Sequence, residues 1–124
     1  MTPAQSDELA RAFARDGEAS VVQAMLANAA ASQKDADDRV ASVMQSLEEM
    51  AEHRVEDACC LMLTLWPVAS ELMLHEICDG IDLWIAHNRS VTVIEHLKHV
   101  AALEVDPDLK RHYEGLLHIE HDAS

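Results

Sequence analysis

Between Ala36 and Ala51 apolar side chains return every three or four positions, at Ala36, Val40, Val43, Met44, Leu47, Met50 and Ala51. That spacing gathers them on one side of an α-helix and scatters them over both faces of a strand. The same period, restarted after short polar breaks, runs through most of the chain, so the natural outcome is a set of amphipathic helices. Sandwiches and barrels need aromatic and β-branched strands with frequent turns. Here Phe, Tyr and Trp together number four, beside three Gly and three Pro. The fold expected is all-α.

Start and stop signals divide the chain. Ser6, followed by Asp7 and Glu8, predicts a first helix over about residues 7 to 15, stopped at Asp16-Gly17. A second helix follows Gly17 and fades near Ser32, its Ala24, Ala27, Ala30 and Ala31 permitting close helix approach. Ser32 with Asp35 resembles a capping box for the long third helix. Glu56 and Asp57 then open a fourth, carrying Ala58, Leu61, Met62 and Leu65. Pro67 is expected in the first turn of a fifth, with Leu72, Met73, Ile77, Ile81, Trp84 and Ile85 on its stripe, because proline breaks a helix interior. Asn88 is expected as a left-handed terminator, Ser90 as the next cap, and Asp106-Pro107 as the start of the last helix. No linker or low-complexity stretch divides the 124 residues, so residues 1–124 are expected to form one compact bundle, or stacked helical hairpins, of about six to seven short helices. No residues recur at a fixed offset to establish a repeat array.

The start of the sequence has neither a basic run nor an apolar core of signal type, and its most apolar stretch, Cys59 to Cys78, is broken by Pro67, Glu71 and His75. A cytoplasmic protein without a membrane span is the expectation. Its three cysteines, two adjacent as Cys59-Cys60, are read as reduced, buried thiols.

Seven of the eight histidines fall after residue 74. His96/His99 and His118/His121 are i,i+3 pairs, His75/Cys78 is another, and Glu71/His75, Glu95/His99 and Glu114/His118 are i,i+4 pairs. Each could direct two ligands to one metal, and each is also an ordinary helix-surface pair; the paired Glu-x-x-His motifs of a di-iron bundle are missing. No metal and no cofactor is assigned. Ser, His and Asp are scattered without a nucleophile elbow, and no glycine-rich phosphate loop occurs, so no catalytic residue is assigned either.

Charge is the feature that points outward. Twenty-three acids against nine Lys and Arg leave a net charge of −14, and each half of the chain carries −7. Solubility is served by about 2 to 8 charges on a small domain. Such a surface disfavours direct contact with nucleic acid or anionic lipid and favours a cationic partner. The densest runs, Asp35, Asp37 and Asp38, then Glu48, Glu49, Glu52, Glu56 and Asp57, are the candidate partner-binding residues, with Met50, Trp66 or Trp84 as apolar anchors. The function expected is that of a small acidic, non-enzymatic inhibitor docked on a basic protein or nucleic-acid-handling complex, in the manner of an immunity protein, a DNA mimic or an anti-CRISPR protein. Two alternatives follow from other features: a helical homodimeric adaptor burying Leu61, Leu65, Trp66 and Trp84, and a histidine-dependent metalloprotein.

Overall fold

The computed structural model describes residues 2 to 118. Among them lie seven helices and no strand: α1 (Pro3–Asp16), α2 (Glu18–Ala29), α3 (Ala36–Ala51), α4 (Val55–Glu71), α5 (His75–His87), α6 (Val91–Leu103) and α7 (Pro107–Leu117). None is long and apolar enough to cross a membrane. His121, half of one histidine pair, lies outside the described residues.

Helix α4 is the axis of the bundle. Ala58 to Leu63 and Leu65 are all buried, so this helix is apolar almost all round and must be covered on every side. It packs against α2, α3, α5 and α6, and α7 closes the bundle over α6 and α5. Val40, Val43, Leu47 and Met50 of α3, Ile81 and Ile85 of α5, and Val93 and Leu97 of α6 bring their stripes to it. Each such side chain contributes about 1.5–3 kcal/mol when fully removed from water.

Pro67 sits inside α4, not in the first turn of α5 as expected. A proline lacks the N–H that would reach the carbonyl of Leu63 four residues earlier. That carbonyl accepts a hydrogen bond from the Tyr113 hydroxyl of α7 at 3.3 Å, in a buried position. A residue fifty positions away therefore fills the gap that the proline leaves. Burial of the phenol drives its pKa upward, which keeps the donor proton in place.

The turns depart from expectation in related ways. Helix α1 starts earlier, because Thr2 and Gln5 form a reciprocal capping box. Ser6 is buried within that helix. Asp35 is the N-cap of α3 but its side chain bonds no backbone N–H, and the Ser32 hydroxyl turns back to the Ala29 carbonyl. Leu72 and Met73 belong to the α4–α5 turn, where Met73 takes a left-handed φ of 59°, the conformation the sequence predicts for Asn88. Asn88 instead has φ −128° and its amide donates to the Trp84 carbonyl at 2.8 Å. Ser90 and Asp106 cap α6 and α7 as expected.

The apolar anchors also move. Met50, Leu61 and Leu65 are fully buried and offer nothing to a partner or a second copy, because all three face α4's packing layers. Trp66 and Trp84 are half-buried. The exposed large apolar residues are Leu72, Met73, Leu83, Val91, Leu103 and Val105.

Candidate functional site

Helix α3 turns one face to the core and the opposite face to solvent. At about 100° per residue, Asp37, Asp38, Ala41, Gln45, Glu48, Glu49 and Glu52 share a sector of about 120°. All are exposed except the half-buried Glu49, and the sector contains no Lys or Arg. Its acids form two groups, one at each end of the helix, separated by about 15 Å along the axis.

At the N-terminal end, carboxylate oxygens of Asp35, Asp37 and Asp38 lie within 4.8 Å of one another, and all three residues are exposed. Asp37 and Asp38 stand in the first turn, where the helix dipole favours them. At the other end the same dipole opposes Glu48 and Glu52, and no basic residue in the last turn compensates. Glu48 and Glu52 also form a like-charge i,i+4 pair, a further cost of about 0.2–0.5 kcal/mol. Glu49 shares a cleft with Glu8 and Leu9 of α1, so Glu8 extends the acidic surface. Its place on a separate helix, far from the acidic runs of α3, hid this in the sequence.

Two of the expected residues do not join the face. Glu56 accepts a hydrogen bond from the Ser90 hydroxyl at 2.7 Å, tying the start of α4 to the cap of α6. That hydroxyl, with a second from Thr92, holds the Glu56 carboxyl below the usual range. Asp57 lies 3.4 Å from Arg54, which reaches Asp7 of α1 at 2.8 Å.

Six of the nine Lys and Arg residues are engaged elsewhere. Arg15 pairs with Asp16, Lys98 with Glu95 and Arg111 with Asp108. Arg39 donates to the carbonyls of Gln33 and Lys34, and Arg89 to those of Leu116 and Leu117, where it closes the end of α7. Among the described residues, Asp35, Asp37, Asp38, Glu48 and Glu52 take part in no ion pair.

The other titratable groups serve the interior. Burial pushes the Cys59 and Cys60 thiols up to about 12 and raises that of Cys78, so none is a thiolate near neutral pH. His112 stacks on Trp66 with ring centroids 3.8 Å apart. Its Nε2 is 3.1 Å from Asp82 but out of line for a hydrogen bond. Burial against Phe13 lowers the His96 pKa; the charge of Glu18 opposes this and His99 adds to it. Among the described residues, the three aspartates of α3 are the one grouping of three or more His, Cys, Asp or Glu donors. Exposed carboxylates of this kind do not by themselves make a metal site.

No family model, no curated protein and no solved structure matches this chain, so the functional reading rests on the α3 face and its surroundings.

Proposed function

We propose that this protein is a small acidic, non-enzymatic binding protein that docks on a basic macromolecular partner and blocks it. The partner is a protein or complex that handles nucleic acid, the role that immunity proteins and anti-CRISPR proteins fill. The observation that carries this reading is Glu48 and Glu52, kept without an ion pair at the end of α3 where the helix dipole opposes them. Each carboxylate so placed costs about 0.3–1 kcal/mol. A positive surface outside the molecule would offset that cost on docking.

The carboxylates of this face come in two groups about 15 Å apart along α3, each a locally dense anionic patch, and together they fall short of the continuous charge of a DNA strand. A field of this kind accelerates encounter with a basic groove, and the acceleration falls as salt rises.

The test is displacement of a labelled DNA duplex from a panel of basic nuclease and DNA-binding domains, followed by anisotropy from about 50 to 500 mM salt. Displacement at low salt that fades with added salt, and that is lost in E48K/E52K, is the expected result. Displacement that ignores salt and survives both substitutions contradicts the proposal.

A further inference from the structure

Helix α7 is fastened to α4 by two consecutive side chains, and only one of them is of a type that changes its charge near neutral pH. Tyr113 donates to the Leu63 carbonyl and keeps its proton, because burial raises the pKa of the phenol. Its neighbour His112 lies flat on Trp66, with ring centroids 3.8 Å apart and planes 24° from parallel. The same imidazole brings Nε2 to 3.1 Å from Oδ1 of Asp82 on α5. His112 thus stands where α4, α5 and α7 meet. Three polar atoms of this junction, Trp66 Nε1, Asp82 Oδ1 and His112 Nε2, are buried and make no hydrogen bond. The junction is therefore under-bonded as it stands, and a change at any of the three atoms is felt by the other helices. The His112 side chain remains 21% exposed, so protons reach it from solvent.

A neutral imidazole has one N–H and one bare nitrogen; a second proton makes both nitrogens donors and the ring a cation. Whichever tautomer the neutral ring takes, the charged ring presents an Nε2–H to the Asp82 carboxylate at hydrogen-bond distance, and a turn of the ring supplies the angle. The charge also adds an attraction to the face of Trp66 that the neutral ring lacks. Both gains come from one proton and fall on one junction. The other charges around it are placed as follows. On α5, Asp79 and the buried Cys78 thiol stand one turn before Asp82. From α4 the contact is the uncharged Trp66. On α6, Lys98 pairs with Glu95, His96 lies against Phe13, and His99 and Glu104 line a cavity with Tyr113. On α7 itself Asp108, one turn before His112, pairs with Arg111.

We propose that His112 is a proton-operated clamp on α7: its charged ring binds Asp82 of α5 and Trp66 of α4 at once, and α7 is held more tightly than when the ring is neutral. None of these residues belongs to the α3 face, so the clamp stands or falls independently of the docking reading. Tyr113 supplies the part of the attachment that pH leaves alone, and His112 the part that it adjusts. His96 acts in the opposite sense, since burial disfavours its charged form, and the two histidines are therefore separable by the sign of their effects.

The test reads the ring and the helix separately. Trp84→Phe leaves Trp66 as the single tryptophan, and a charged imidazole in contact quenches indole emission far more than a neutral one. In W84F the emission is expected to fall in one step as pH is lowered from about 8 to about 5. Adding H112Q is expected to remove the step, and adding D82N to move it to lower pH, because the charged ring loses its carboxylate. Amide hydrogen exchange then follows α7. The protection of α7 in wild type relative to H112Q is expected to be at least about threefold greater at about pH 5.5 than at about pH 7.5; taking the ratio of the two proteins cancels the intrinsic pH dependence of exchange and the contribution of His96. Thermal melts at about pH 8 confirm that the variants fold, and if H112Q does not, D82N takes its place in the exchange ratio. Absence of the step, or a step that survives H112Q, overturns the proposal. So does a step that D82N leaves in place, which would remove Asp82 from the clamp. A ratio that is the same at both pH values means that the ring takes up its proton without tightening α7, and overturns it as well.

Discussion

The outer surfaces of α3 and of α6–α7 are both rich in carboxylates, yet they use them differently. On α6 and α7, Glu95 and Asp108 each have a cation one turn along, Lys98 and Arg111. Other polar groups of this region hold the bundle shut: Arg89 closes α7, Tyr113 bonds to α4, and His112 stacks on Trp66. On α3, Asp37, Asp38, Glu48 and Glu52 share a face that holds no Lys or Arg, and the one arginine of that helix is bound to its own backbone turn. The lesson is that the net charge, evenly divided along the sequence, is unevenly available in space. Surplus that is locally neutralised says little about function, and the docking proposal rests on the surplus that is left uncompensated.

The largest expected effect is on binding. Reversing two charges on α3 with E48K/E52K should weaken capture of a basic partner by about 30-fold, close to 2 kcal/mol. The matched reversal E95K/D108K should change it by less than about threefold, since those acids are already paired. Equal losses measured by anisotropy at low salt would erase the distinction between the two surfaces.

The next effect is on stability and falls on the other region. Tyr113→Phe leaves the buried Leu63 carbonyl without a donor and should cost about 1–2 kcal/mol in denaturant unfolding, with binding unchanged. In a P67A background the restored N–H can serve that carbonyl, so the cost should shrink; an undiminished cost would mean that tyrosine and proline are uncoupled.

Smaller still, and opposite in sign, each of E48K and E52K should raise stability by about 0.3–1 kcal/mol while lowering affinity. Loss of both together would place the two glutamates among the structural groups.

The smallest effect is a pH slope. Burial holds the His96 imidazole below its ordinary 6.5. As pH falls through 6.5 the unfolded chain takes up this proton before the folded protein does. Stability is therefore untouched above that value and declines below it. His96→Leu should make the decline shallower in melts between pH 7 and 5, and an unchanged slope would assign it to other groups.

Much of the bundle was legible in the sequence because it rests on local rules. The α3 stripe, the Ser90 and Asp106 caps and the acids opening α4 each depend on residues within one or two turns. What escaped depends on distant partners. Pro67 reads as a helix start unless Tyr113 is known to lie against Leu63, and Met50 reads as a surface anchor and Leu61 as a dimer contact until α4 is seen to be enclosed on all sides. The candidate site divided along the same line. Asp35, Asp37, Asp38, Glu48, Glu49 and Glu52 sit on or beside one helical face that the sequence can trace. Glu56 and Asp57 were drawn away by Ser90 and Arg54, which no pattern of acids reveals.

The most direct measurement is a pair of salt titrations on one basic partner identified by DNA displacement, comparing wild type with E48K/E52K. If the α3 face carries the contact, wild-type affinity falls steeply with rising salt, and the variant is both weaker and markedly less salt-sensitive. Superimposable curves for the two proteins would mean that the uncompensated carboxylates of α3 meet nothing.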